Sequence, residues 1–418
     1  MEDLLERNTE PSPMQKKTGP LAGIRVIDLT RILAGPWATQ TLADMGADVV
    51  KVERPHCGDD TRTFAPFIPS KNGGTRQSAY FQSANRGKRS ITIDVTTPEG
   101  QELVRGLADQ ADVFIENFKV GSLEKWGLDY RSLSARNPRL IYCSITGFGQ
   151  TGPHKDRVSY DLVIQAMGGL MSITGEPGRE PMKSGVAIVD ILTGLYAATA
   201  ILAALHERER SDLGQYIDLA LLDVQVATLA NKASGYLMTG NTPQRDGNSH
   251  ESITPYQVFG TRDGQMVIAV ANDLQFGRFA KVIGIPELAE NPKFRTNRER
   301  LRNRGELIPI VAERLMARTS HEWMKDFDEG QVPAGPINSL DAVFEDPQIP
   351  ARNMLVEFPP DGDDAPIRVA GNPIRFSRNE LRYEAPPPKL GSHTEEILCE
   401  VLGKDPQTIA DLKKKNVI

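Results

Sequence analysis

Cysteine is scarce in this chain. Cys57, Cys143 and Cys399 are the three among 418 residues, and they have neither the spacing of a metal site nor the makings of a disulfide framework. A reducing compartment, the cytoplasm, is the simpler expectation, with no metal and no permanently bound cofactor. A surplus of positive charge is also lacking: 49 Lys and Arg face 55 Asp and Glu, a formal net charge of -6. That removes the footprint of a nucleic-acid partner or a polybasic membrane surface, so any anion site has to be locally basic. A long apolar run is missing too, because Asp190 interrupts the best candidate for a membrane span. The opening MEDLLERNTEPSPMQKK mixes acids and bases with no apolar stretch, unlike a secretory signal, and its early acids argue against a transit peptide. Residues 1–20 are expected to form a flexible tail. Internal repeats and low-complexity segments are absent.

What is present is the make-up of a soluble globular protein, 39% hydrophobic and 25% charged, long enough for about two domains with ample core. Short apolar runs rich in β-branched residues read as buried strands. They are Gly23–Leu29, Ala47–Glu53, Ser90–Asp94, Asp112–Glu116, Leu140–Ile145 and Gln215–Ala220. Helical stretches lie between them: Pro36 suits a first turn before Trp37–Met45, and Thr97 and Pro98 mark the start of another helix. This alternation predicts an α/β fold with a doubly wound, Rossmann-like parallel sheet. The loop Thr30–Gly35 carries one glycine where dinucleotide binders have three, which disfavours a nicotinamide dehydrogenase. Arg54 ends the second strand, where open parallel sheets place ligands. Asn85-Arg86-Gly87-Lys88-Arg89 sets three cations before the third strand, either for phosphate contact or as a solvated turn. A long helical pattern runs to about Met238. Arg262-Asp263-Gly264 between Tyr256–Phe259 and Gln265–Val270 signals a hairpin, and Gln331–Ile337 is expected to leave that second domain.

Two acids stand out in Arg157–His206. Asp161 follows Ser159 and Tyr160 and opens an apolar segment. Asp190 ends Gly185-Val186-Ala187-Ile188-Val189 and opens another, where Leu195, Ala198, Leu202 and Leu205 recur at helical spacing. Asp190 is therefore expected to cap a helix and to be ionised beside free backbone donors. A capping role alone accounts for the pattern. The same setting suits a covalent nucleophile that attacks a carbonyl, with donors for the oxyanion and apolar cover against water.

Eleven pieces in order resemble one family. They are LAGIRVIDLTRILAGP, ADVVKVERP, GDDTR, NRGKRSITIDVTTPEG, DVFIENFKVG, IYCSITGFGQTGP, SYDLVIQAMGGLMSITG, GVAIVDILTGLYA, TPYQVF, VPAGPI and PPKLGSHTEEIL. Together they look like the class III coenzyme A transferases (CaiB/BaiF), which include formyl-CoA transferase and carnitine CoA-transferase. VERPHCGDDTRTF, YCSITGFGQTGP, SITPYQVF and RNELRYEAPPPKLGSHT are similar to the branch acting on succinyl-CoA and glutarate. The resemblance implies transfer of CoA from an acyl-CoA donor to a free carboxylic acid. The route is an aspartyl mixed anhydride and then an aspartyl-CoA thioester, kept from water. Asp190 matches the family's nucleophile. Leu33, Ala34, Arg54, Ile93 to Thr96, Asn117 and Phe118 match CoA contacts. Lys125 stands where the family has an arginine, which keeps the charge and loses the bidentate fork. One branch has a lysine at the position of Val158, and Arg157 beside it is the candidate substitute. Tyr160 and Asp161 match the pair flanking the acyl group. Gly247–His250 matches a glycine-rich covering loop but is shorter.

A racemase acting on the α-carbon of acyl-CoA resembles the chain in fold, but it needs two bases, and related racemases carry histidine at the position of Tyr160. Tyrosine ordinarily gives up its proton only near pH ~10, so transfer is favoured. A non-catalytic CoA-binding protein would have no need of Asp190. The family further implies an interlaced homodimer. Residues 21–225 are expected to begin a large CoA-binding domain, 226–244 to be a linker helix region, 245–337 a small α+β domain, and 338–418 a return to the large one. A dicarboxylate acceptor calls for a cation, for which Arg31, Arg245 and Arg262 are available.

Overall fold

The computed structural model describes residues 18–68, 77–360, 365–381, 383 and 385–418. The expected tail falls mostly on residues 1–17, outside the described residues. Two compact units are present. One runs to Gly168, resumes at Gly185–Thr228 and closes with Asn353–Ile418, and the other takes Gly169–Ser184 and Leu229–Arg352.

In the first unit, alternation along short strands sorts apolar side chains onto two faces. The strands are β1 (Arg25–Asp28), β2 (Asp48–Glu53), β3 (Arg89–Thr92), β4 (Val113–Glu116), β5 (Ile141–Thr146) and β6 (Tyr216–Ala220). They form one parallel sheet in the order β3-β2-β1-β4-β5-β6. Ile27, Val50, Ile91 and Phe114 pack on one side with Leu103 and Leu107 of the helix Pro98–Asp109 and with Ile397 and Ile409 near the C-terminus. Val26, Val49, Val113 and Ile141 pack on the other with α1 (Ala34–Asp44) and the later helix Ile188–Ser211. Burying each such side chain contributes about 1.5–3 kcal/mol. Thr97 caps its helix as expected, its hydroxyl accepting the Gly100 N–H at 3.1 Å with Pro98 in the first turn. After β3 the chain crosses back past β1 to lay down β4. The loops after β1 and β4 therefore part company at the carboxyl edge and leave a crevice between them.

The helix Ile188–Ser211 departs from expectation in two ways. Its buried residues include Val189, Gly194, Ala197, Ala198, Ile201 and Leu205, while Leu195 is exposed. The inward face is set by Gly194, where a Cβ would meet the Ala34 carbonyl oxygen at 2.6 Å and the Trp37 side chain at 3.0 Å. The helix is also long and apolar enough to cross a membrane by length and composition, with half of its most apolar stretch buried in the fold. Asp190 does not interrupt it, because it lies in the first turn.

The second unit carries an antiparallel three-stranded sheet. Tyr256–Gly260 and Gln265–Ala269 make the expected hairpin, and Ala334–Pro336 joins its free side. The segment expected to leave the domain in extended conformation is thus paired as a strand of it. The long helical pattern before it is two helices, Leu221–Thr228 and Ala230–Thr239, parted where Ala230 takes a positive φ of 46°. The molecule is therefore an α/β protein with parallel and antiparallel sheets.

The three cations before β3 neither reach for phosphate nor face solvent. Arg86 forms a buried fork to Asp44 at 2.8 and 2.6 Å. Lys88 is fully buried, with Nζ donating to Asp28 at 3.2 Å, Asn85 at 2.8 Å and the Pro36 carbonyl at 3.0 Å. Arg89 pairs with Asp48 at 2.7 Å. Lys51 is equally buried, its Nζ 2.8 Å from the Thr30 carbonyl and 3.0 Å from Asp59. Burial alone would raise Asp59, yet Lys51 and the Thr61 N–H hold its carboxyl down at about 2. Replacing Lys51 with Met should destabilise the protein by about 3–5 kcal/mol, because a carboxylate and a carbonyl are left unpaired in the core. Denaturant unfolding measures this, and an unshifted midpoint would refute it.

Candidate functional site

The loop after β1 is clamped residue by residue. Thr30 donates to Asp28 through its N–H at 2.8 Å and its hydroxyl at 2.5 Å. The Arg31 N–H donates to Asn117 Oδ1 at 3.0 Å, and Asn117 Nδ2 donates back to the Arg31 carbonyl at 2.8 Å. The Ile32 N–H points to Asp59 Oδ1 at 3.3 Å. Ile32 has φ of 72°, a conformation that costs a β-branched residue about 1–3 kcal/mol and persists only when its surroundings impose it. Leu33 then caps α1 and Ala34 begins it, both buried. Asn117 thus spends its amide on the loop itself.

Two grooves meet at the crevice between the loops after β1 and β4. The first encloses about 730 Å³ and is lined by Arg31, Arg54, Ile93, Thr96, Phe118 and Trp126. The second encloses about 930 Å³ and is lined by Arg31, Asn117, Phe118, Lys155, Arg157 and Tyr160. Arg31 and Phe118 belong to both, with the guanidinium 5.8 Å from the ring. Asp60 holds Arg31 and Arg54 together, 2.8 Å from each, so an entering anion meets two cations anchored by one acid. Lys125 lies 4.6 Å over the Trp126 ring, beside the first groove. Arg157 rests on Phe148 at 5.3 Å, while Val158 is 76% exposed.

Arg245 and Arg262 are engaged within the second unit. Arg245 donates to the carbonyls of Ser172, Glu176 and Arg179, and Arg262 pairs with Glu322. Gly247 is tied to the Gly175 carbonyl at 3.0 Å, and the His250 ring lies 5.2 Å from that of Tyr256.

Tyr160 lines the second groove and caps a short helix, α2 (Asp161–Met167). Its first residue does what was expected of Asp190. Asp161 Oδ1 accepts the N–H groups of Val189 at 2.8 Å and Asp190 at 3.2 Å, at the start of α3 (Ile188–Ser211), and Oδ2 accepts from Gln165 at 2.5 Å. The cap residue of α3 is Ala187, and Asp190 sits a turn inside, 8% exposed. Asp190 is therefore not the cap, and the donors expected to serve it are held by Asp161. Burial and then the Asp161 charge push its carboxyl up to about 7. A carboxylate of that basicity is a better nucleophile than an ordinary one. Burial, and then the Asp190 and Asp161 charges, raise the Tyr80 phenol.

The measurable consequence is an acid limb. An attacking carboxylate must be ionised, so turnover should rise with pH through about 7 and fall about tenfold per unit below it. Asp161→Asn keeps an acceptor for the helix N–H groups but removes the like charge, and it should move that limb to lower pH. A limb at an unchanged position in a pH–rate profile would exclude this coupling.

Three comparisons bear on this geometry. Residues 21–394 match the family model described as CoA-transferase family III. Succinate–glutarate CoA-transferase of Agrobacterium fabrum is 50% identical over 389 residues, 93% of this chain and 97% of that protein. Succinyl-CoA:glutarate CoA-transferase of Homo sapiens is 43% identical over 402 residues, 96% of this chain and 90% of that protein. A crystal structure of a CAIB/BAIF family protein from Brucella suis superposes with a TM-score of 0.83 at 50% identity, covering 92% of this chain and 100% of that one.

Proposed function

The chain belongs to CoA-transferase family III, the class III CoA-transferases, and on that premise we propose that it moves CoA from succinyl-CoA to glutarate through Asp190. Coenzyme A is substrate here, not a resident cofactor. The observation that carries the assignment of Asp190 is its setting: a buried carboxylate at a helix start, with no cation paired to it among the described residues, opposed by Asp161 next to groove-lining Tyr160.

Asp190 attacks the thioester carbonyl, the C–S bond breaks and CoA leaves as thiolate, giving a mixed anhydride. The thiolate attacks the aspartyl carbonyl and frees the donor acid as carboxylate. The acceptor carboxylate then attacks the aspartyl thioester, and the returning thiolate takes the new acyl group and releases Asp190. No step consumes water, so burial of Asp190 preserves the thioester energy. Arg54, Lys125, Ile93 and Thr96 are assigned to the nucleotide end of CoA along the first groove. Leu33, Ala34, Asn117, Phe118 and Arg157 are assigned to the arm that runs toward Tyr160. The distal carboxylate of a dicarboxylic acid calls for a cation, and Arg31 is the member of the three candidates that stands in the grooves.

The large domain is read as built from both chain ends, and the assembly as an interlaced dimer working in the cytoplasm. Leu162, Met167, Val186, Leu195, Tyr196 and Val226 are exposed apolar residues of the first unit, more than a lone chain ordinarily shows.

Asp190→Ala should abolish transfer while CoA still binds, and hydroxylamine should trap the acyl group at Asp190. Retained turnover, or an adduct located elsewhere by mass spectrometry, would move the site. Succinyl-CoA offered with a panel of acids should yield glutaryl-CoA in preference to monocarboxylic thioesters, and Arg31→Met should erode that preference. Sedimentation should give twice the mass of one chain, and a monomer would remove the assembly.

A further inference from the structure

We infer that Glu116 is a positioning residue for acyl-CoA, and that the ligand enters with uptake of a proton on the Glu116 carboxyl group. Glu116 ends β4 and is 5% exposed. Its Oε2 accepts the Phe118 N–H at 2.7 Å. That bond sets the turn which hands Asn117 to the Arg31 backbone and Phe118 to both grooves. The same carboxyl group meets Ser144 on β5. Ser144 Oγ receives Gln150 Nε2 at 2.8 Å and also meets the Tyr216 hydroxyl on β6. The Gln150 N–H donates in turn to Asp218 at 3.1 Å. One chain of hydrogen bonds therefore runs from the carboxyl end of β4 through Ser144 of β5 to Tyr216 at the start of β6, with Glu116 at the end tied to groove-lining Phe118.

No ion pair among the described residues includes Glu116, so its charge has no partner. Around it, β5 brings Tyr142 and Cys143, and β6 brings Tyr216 and Asp218. Lys119, Glu124, Asp129 and Arg131 line the same cavity of about 650 Å³. Ser144 can satisfy either protonation state. Its hydroxyl donates to Glu116 when the acid is ionised, with Tyr216 donating to it. When the acid is neutral, Glu116 donates and Ser144 turns its proton to Tyr216. The proton thus arrives without leaving a buried group unpaired. Burial already pushes Glu116 up to about 7, and an anionic ligand on the far side of Phe118 favours the neutral form further.

The sign follows from linkage. A ligand that prefers protonated Glu116 binds tightly below pH 7 and loses affinity as pH rises, by at most about tenfold per unit. The inference rests on the CoA-binding reading above. The test is calorimetric binding of dephospho-CoA, which lacks the phosphate monoester that itself titrates near pH ~6. Asp190→Asn protein removes the other acid that titrates in this range. In that background the dissociation constant should rise several-fold from pH 6 to pH 8.5, with proton uptake seen as a buffer-dependent heat. Adding Glu116→Gln, which keeps the acceptor for Phe118 and a donor for Ser144, should flatten the profile and abolish the uptake. Equal slopes with and without Glu116→Gln overturn the inference. So does an absence of proton uptake in the Asp190→Asn protein alone, a measurement that stands even if the double variant is insoluble. Wild-type protein that binds no CoA at any pH would instead defeat the transferase reading itself, and this inference with it.

Discussion

A web of fully buried charge beneath the loop after β1 holds the rest in place. Lys51 of β2 and Lys88, just before β3, are answered by Asp59 and Asp28, and they also bond the backbone carbonyls of Thr30 in the loop and Pro36 in the first turn of α1. Buried ion pairs contribute little net stability, because each ion must shed its water. What they do well is forbid alternatives. With Thr30, Arg31 and Ile32 each gripped by a side chain from elsewhere in the fold, an isoleucine is kept in a left-handed conformation it would not adopt alone. The helix start at Leu33 and Ala34 is aimed by that grip. The crevice at the carboxyl edge of the sheet is shaped before any ligand arrives, which reduces the ordering cost of binding.

Against this background the acids divide into two kinds. Asp28, Asp59 and Glu53 are buried but have lysine or arginine beside them, and their carboxyls are held low. Asp190 and Glu116 are buried with no cation paired to them among the described residues, and both are pushed up to about 7. A cation beside the acid separates these five, although Asp44, forked by Arg86, is still raised by its burial. Acids of the first kind brace the backbone. Those of the second kind can change protonation near neutral pH, which is what the proposed roles of Asp190 and Glu116 use.

Much of this was legible along the chain. The strands, the cap at Thr97 and the hairpin at Arg262–Gly264 follow from periodicity and turn chemistry. Eleven ordered motifs pointed to the family that the comparisons show. The misreadings have one cause. Asp190 looked like a cap because local sequence cannot reveal that a carboxylate from Asp161, twenty-nine positions earlier, takes the helix N–H groups first. Arg86, Lys88 and Arg89 looked like an exposed basic turn because their acids, Asp44, Asp28 and Asp48, lie more than forty positions away.

By itself the sequence determined the order of strands and helices and the family with its chemistry, because those depend on interactions within a few residues and on motifs carried whole. Only the tertiary structure decided which charges are paired. Pairing depends on distances between segments remote in the chain, and it sets whether a buried acid is a brace or a reactive group.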